Sequence, residues 1–209
     1  MTDAPSNNLP PAASGIISRA KDILLKPKET WPVIAAEPAT TQSIYVPYVV
    51  ALAAIGPIAQ FIGGQVFGIS VFNVTYHPPL AGALVSAVVG YALSLVTVFL
   101  LALVIDALAP NFDGQKDPVQ ALKVAAYSGT AGWVGAIFGL LPALSLIGAL
   151  VGLYGLYLLY TGLPVLMKVP QEKALGYTVV VIIAAIVLFV IVGMIVAALA
   201  APSLLTVRG

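Results

Sequence analysis

The sequence predicts an all-α membrane protein, a bundle of about five transmembrane helices preceded by a short amphipathic N-terminal helix. Three observations carry that expectation. Of 209 residues, 60% are hydrophobic and only 8% are charged, against roughly 25% charged in an ordinary soluble domain. Five stretches reach the roughly 20 apolar residues that a spanning helix needs. The few basic residues gather on alternate sides of those stretches. Nine Lys or Arg and eight Asp or Glu cannot clothe a core of this size in polar surface, so lipid takes the place of water.

The five stretches are Tyr45–Ile62, Leu80–Leu108, Val119–Leu141, Leu144–Met167 and Tyr177–Ala200. They are read as helices because an open sheet edge leaves backbone groups unpaired in hydrocarbon. The first carries Pro47 and Pro57. Pro57 should kink it and free the carbonyl of Ala53. The second is long enough to require tilt or projection from the bilayer. Gly63-Gly64, His77-Pro78-Pro79, Pro110 to Gly114, and Val169 to Lys173 punctuate the spans. Leu141-Pro142 leaves almost no loop between the third and fourth, which implies an antiparallel hairpin. Residues 1–13 are read as a disordered tail and 14–43 as a cytoplasmic or interfacial amphipathic segment. Residues 44–201 form the transmembrane domain, and 202–209 a short C-terminal tail. Met1 to Pro11 is polar and Pro-rich rather than a basic cap followed by an apolar core, so insertion is expected to begin with the first span.

Orientation follows from charge. Arg19, Lys21, Lys26, Lys28, Lys116, Lys123, Lys168 and Lys173 fall on one side if the helices alternate, and Arg208 alone on the other. The positive-inside rule then gives a cytoplasmic N-terminus and an external C-terminus.

Ile16, Ile17, Ala20, Ile23 and Leu24 recur at helical spacing, with Arg19, Lys21, Asp22 and Lys26 elsewhere on the wheel. Lys26-Pro27 should end this helix. Arg19, Lys21, Lys26, Lys28 and Trp31 make a candidate membrane-surface segment, since a basic amphipathic helix lies flat on anionic lipid and Trp favours the headgroup zone. The alternative is a helix packed on the cytoplasmic ends of the bundle. Thr30 is a candidate cap for a short turn there.

Small residues stand four apart at Gly82, Ser86, Gly90 and Ser94, and again at Gly135 and Gly139, and at Gly148 and Gly152. Such stripes let membrane helices approach closely. They pack either within the chain or between two copies. Asp106 is the carboxylate inside a predicted span, and Lys123 enters the next helix at similar depth, so the two are a candidate structural ion pair. Tyr154, Tyr157 and Tyr160 step three apart, with Tyr127 on the facing helix; together they are a candidate polar cluster. There is one histidine, His77, and no cysteine, too few ligands for a zinc site. No nucleotide loop or two-His helix motif is present. Metal, cofactor and catalytic residues are therefore expected to be none. A net charge of +1 leaves no nucleic-acid footprint.

Several runs of residues resemble a family. They are Lys123-Val-Ala-Ala-Tyr127-Ser, Trp133-Val-Gly-Ala-Ile-Phe138 with Leu141-Pro142, Gly152-Leu-Tyr154-Gly-Leu-Tyr157-Leu-Leu-Tyr160, Gly162-Leu-Pro-Val-Leu-Met-Lys-Val-Pro170 and Glu172-Lys-Ala-Leu-Gly-Tyr177-Thr. Leu25-Lys-Pro27-Lys-Glu-Thr-Trp31 and Glu37-Pro38 extend the match toward the N-terminus. Over residues 16–200 the chain resembles a bacterial member of the Yip (Ypt-interacting protein) domain family. The resemblance implies a five-helix bundle with a cytoplasmic N-terminus. It also implies eukaryotic relatives that bind prenylated small GTPases in Golgi and vesicle traffic, and it supplies no catalytic residues. The expected function is a non-enzymatic membrane-organising or partner- and lipid-binding scaffold. Its expected partners are the bilayer, a protein on the cytoplasmic face, and a second copy of the chain. The alternative is a transporter or channel subunit for a small solute.

Overall fold

The computed structural model describes residues 15–71 and 74–200. The expected tails at 1–13 and 202–209, with Arg208, lie outside the described residues. The fold begins with a helical hairpin. Helix α1 (Ile16–Leu25) stops at Lys26, where the following proline disfavours helical backbone. Helix α2 (Pro27–Ala36) starts on that proline, whose missing N–H is harmless at a first helical position. The Thr30 hydroxyl does not cap a helix. It bonds back to the carbonyls of Asp22 at 3.1 Å and Lys26 at 2.8 Å, tying α2 to α1.

The first span runs Thr41–Val66, longer than expected at both ends. It comprises α3 (Thr41–Ile44), a π-helical turn (Tyr45–Val49), α4 (Val50–Ala53) and α5 (Ile55–Val66). Thr40 and Ser43 cap its start reciprocally, with bonds of 3.1 and 2.9 Å. The widened turn contains Pro47, and the break at Ala54 falls one turn before Pro57. Both follow from the loss of a proline N–H in a helix interior. Next comes a short antiparallel pair, β1 (Ile69–Val71) with β2 (Val74–Tyr76), in the register Ile69 to Tyr76 and Val71 to Val74. Ile69, Val71, Val74 and Thr75, all β-branched, were its sequence signal.

Helix α6 (Leu80–Leu108) has the expected bounds. It leads through a 3₁₀ turn (Ala109–Phe112) to α7 (Pro118–Ser128), which opens on Asp117. Then come α8 (Thr130–Gly135), a 3₁₀ turn (Ala136–Leu140), α9 (Ser145–Leu166) and α10 (Gln171–Ala200). Among the described residues, four helical segments are long and apolar enough to cross a membrane: Thr41–Val66, Leu80–Phe112, Ser145–Leu166 and Gln171–Leu199. The expected unbroken span Val119–Leu141 is not among them. Glycines at 129, 132, 135 and 139 weaken its helix, and Ala121 through Ala126 are all buried in protein rather than turned to lipid.

The broken segment nevertheless runs antiparallel along α9, as the short Leu141-Pro142 connection implied. Ser128 meets Gly155, and Gly135 meets Gly148. A Cβ on Gly135 would stand 2.7 Å from the Gly148 carbonyl oxygen, and one on Gly148 would stand 2.6 Å from that of Gly135. Only glycine permits this approach, which gives membrane helices their van der Waals contact. Gly152 lies on the same seam, facing Gly132, whereas Gly139 packs against α5 beside Gln60. The α6 stripe behaves differently. Gly82, Ser86 and Gly90 border a cleft between α5, α6 and α10, and a Cβ on Gly90 would meet nothing within 4 Å. Close packing was the expectation there. Phe61 and Phe189 also line the cleft.

The core is concentrated at one end of the bundle. Trp31, Ile34, Ile105, Val124, Leu158, Leu163 and Tyr177 are completely or almost completely buried and form one cluster with their neighbours. By contrast, only 6% of the spanning window of α10 is buried. Its outward Ile183, Phe189, Met194 and Leu199 suit hydrocarbon rather than water.

Candidate functional site

The site is the densely packed end, where the α1–α2 hairpin is fastened to the bundle. A helix ends with carbonyls that have no partner of their own. At the end of α2 those carbonyls are taken by α7. Gln120 and Lys123, three apart on one face of α7, both reach them. The Gln120 amide donates to the Ala35 carbonyl at 2.9 Å. The Lys123 ammonium donates to Ile34 at 2.8 Å and to the Glu37 carbonyl at 2.6 Å. A cation at the negative end of a helix dipole is favourable, and more so away from water. Lys123 is 2% exposed.

Glu37 is held twice. Its backbone takes Lys123, and its carboxylate takes the Arg19 guanidinium of α1 at 2.5 Å. This ion pair closes the hairpin, since Arg19 and Glu37 stand near its two ends. Beside it, the Tyr127 ring packs 4.8 Å from that of Tyr48, whose hydroxyl shares a buried 2.7 Å hydrogen bond with Thr130.

Helix α9 supplies the second fastening. The Trp31 indole N–H donates to Thr161 at 3.1 Å. A Cβ on Gly162 would lie 2.7 Å from the indole ring, so the missing side chain is what seats the tryptophan. The Tyr154 hydroxyl donates to the Leu24 carbonyl at the end of α1, at 3.0 Å. The α6–α7 and α9–α10 loops close the same end. The Gln115 amide donates to the Met167 carbonyl at 2.8 Å, and Lys173 pairs with Asp113. The eight basic residues grouped from sequence are therefore at one end of the bundle.

Several expectations are corrected. Lys123 does not pair with Asp106, because its ammonium is turned to the end of α2. One Asp106 carboxylate oxygen is buried with no donor among the described residues. Arg19 and Trp31 are not on a membrane surface: Arg19 is buried against Glu37 and Trp31 is 0% exposed. Ile17, on the apolar face read as meeting either lipid or the bundle, is 85% exposed and does not pack on the bundle. Lys21, Lys26 and Lys28 are exposed as expected. The tyrosines gather only in part. The Tyr154 and Tyr157 rings pack 5.3 Å apart, with the Tyr154 hydroxyl on Leu24, while Tyr127 faces Tyr48 and Tyr160 is 39% exposed. Sequence reasoning missed the roles of Glu37, Gln120 and Gly162. The Gln120–Lys123 spacing and the Gly162 gap were legible, but the partners lie 85 to 130 residues away.

The outward face of the docked hairpin mixes apolar and basic side chains with two exposed carboxylates, Asp22 and Glu29. Ile17, Lys21 and Leu25 stand four apart on α1, with Leu25 68% exposed, and Lys26, Lys28 and Val33 continue the surface on and before α2. Such a face suits the boundary between headgroups and acyl chains.

Spanning helices that turn apolar faces outward define an integral membrane protein of the all-α class. The family model of the Yip1 domain matches residues 21–200, which takes in α2, the fastening residues Gln120, Lys123 and Thr161, and every span. The chain belongs to the Yip1 domain family. No match is found among curated proteins or among solved structures.

If Lys123 and Trp31 fasten the hairpin, Lys123→Met should loosen it while leaving the spans in place. A hydrogen bond from a charged group contributes roughly 1.5–3 kcal/mol. Hydrogen exchange in α2 should therefore accelerate at least about tenfold, with α9 and α10 unchanged. Unaltered exchange in α2 would show that Lys123 is not a fastening.

Proposed function

We propose that the protein is a non-enzymatic membrane scaffold whose docked α1–α2 hairpin presents a basic and apolar face to anionic lipid at the cytoplasmic surface. The observation that carries this reading is the side-chain sorting on the hairpin. Its one arginine and its tryptophan are turned inward and bonded, while Ile17, Leu25 and three lysines are turned outward, outnumbering the two exposed carboxylates Asp22 and Glu29. A hairpin built only to plug the bundle would not leave Ile17 bare. Each lysine near an anionic surface contributes about 1 kcal/mol of attraction, and the apolar side chains insert between headgroups. Residues 14–43 then act as a platform, and 44–201 as its anchor. The same surface is the place for a cytoplasmic protein partner.

The orientation rests on charge. Eight of the nine basic residues belong to the hairpin end, which the positive-inside rule assigns to the cytoplasm. A reporter inserted after Gln115 should read cytoplasmic. An external signal there would reverse the whole orientation and place the platform outside.

Lipid selection is measured on the full chain reconstituted in mixed vesicles, with fluorescent phosphatidylglycerol as acceptor for tryptophan emission. The protein should gather phosphatidylglycerol over phosphatidylcholine, and the double variant Lys21→Glu, Lys26→Glu should sharply reduce the excess. Equal enrichment by the variant would remove the platform role. The buried, undonated oxygen of Asp106 is the observation that favours transport instead. Solute flux that disappears with Asp106→Asn would support that second reading.

A further inference from the structure

Between α2, α9 and the start of α10 lies a cleft of about 420 Å³ lined by Lys28, Trp31, Tyr160, Thr161, Val165 and Gln171. Two of these residues are already committed. The Trp31 N–H is bonded to Thr161, whose hydroxyl also bonds the Tyr157 and Leu158 carbonyls of its own helix. They make a fixed floor. The other polar groups are unspent. Among the described residues, no hydrogen bond or ion pair engages the side chains of Lys28, Tyr160 or Gln171. Nearby carboxylates are accounted for in part: Glu29 lies 4.0 Å from Lys26, Asp113 holds Lys173, and Glu172 follows Gln171 on the exposed first turn of α10.

Three donors of different kinds thus surround one cleft: an ammonium, a phenol and an amide. Gln171 is also the first residue of the 30-residue helix α10, so the positive end of a helix dipole faces the same region. The size is within the range of small-molecule sites. Below the cleft, α9 continues toward the membrane interior with Tyr157, Leu156 and Leu153 exposed. A ligand that fits both parts has an anionic head and long apolar tails.

We propose that this cleft seats the phosphate of a single glycerophospholipid, with Lys28, Tyr160 and Gln171 as donors and the acyl chains lying along the Leu153–Tyr157 face of α9. The proposal rests on the lipid-binding reading above and deepens it from a diffuse surface to one site. The apolar strip below the donors selects a lipid phosphate over free phosphate, which would leave that strip unused.

The test is lipid titration of the full chain in detergent micelles, followed by native mass spectrometry of the first bound lipid. The probes are phosphatidylglycerol and a galactosyl diacylglycerol with the same chains and no phosphate. Phosphatidylglycerol should bind about tenfold more tightly. Lys28→Gln and Tyr160→Phe should each weaken it about fivefold, with thermal unfolding unchanged, while Lys21→Gln should have no effect. Equal binding of the two lipids overturns the site. So does a loss with Lys21→Gln as large as with Lys28→Gln, which would leave the diffuse platform standing without the cleft. Displacement of the lipid by millimolar inorganic phosphate would also overturn it, in favour of a soluble ligand. The vesicle test varies Lys21 and Lys26 and leaves Lys28 in place, so the two readings fail separately.

Discussion

A buried ammonium holding the loose end of a helix is the constraint on which the architecture depends. Lys123 is almost wholly removed from solvent, and the groups nearest to it are backbone carbonyls of α2 at 2.6 and 2.8 Å. Neither partner is stable in that environment alone. The end of α2 would bury carbonyls without donors, and the lysine would be a charge without compensation. Together they satisfy each other, and Gln120 one turn away completes the set. The Arg19–Glu37 pair then fixes α1 on the same point. The hairpin is therefore an integral layer of the bundle rather than a leader attached to it.

This constraint explains why the molecule is so uneven along its length. Where the hairpin docks, the bundle has a third layer and can form a closed core around Trp31, Ile105, Leu158 and Tyr177. Toward the other end, helices have lipid as a neighbour, and they need only touch where glycines bring backbones together, as at Gly135 and Gly148. Apolar clefts remain between α5, α6 and α10. In water such clefts would be costly. In a bilayer acyl chains fill them, because hydrocarbon is as good a neighbour for valine or leucine as another helix. Function then concentrates at the dense end, where charges, aromatic rings and the membrane interface coincide.

Much of the fold was legible because membrane insertion imposes a coarse rule. Runs of apolar residues gave the spans, α6 to the residue, and basic residues sorted the loops correctly to one end. Pro57 located the break at Ala54, while the widened turn at Pro47 was not foreseen. Failure came where the rule does not apply. The segment 118–140 turns its side chains to protein, so its hydropathy reports no lipid contact, and its glycines break it. The hairpin was read by the wheel alone, which set Ile17 on the apolar face and Arg19 on the charged one. The structure turns Arg19 inward, because Glu37 is there to take it, and leaves Ile17 exposed. Lys123 was matched to the carboxylate nearest in depth. No single-sequence pattern shows that backbone carbonyls 89 residues earlier are the better partner.

The docking itself is open to a direct measurement. The chain has no cysteine, so paired substitutions report without background. Ala35→Cys with Gln120→Cys should be joined efficiently by a short thiol cross-linker in native membranes. Ala35→Cys with Ser145→Cys, which lies at the far end of α9, should not be. Failure of the first pair to join, or equal joining of both, would mean that the hairpin is not held against α7.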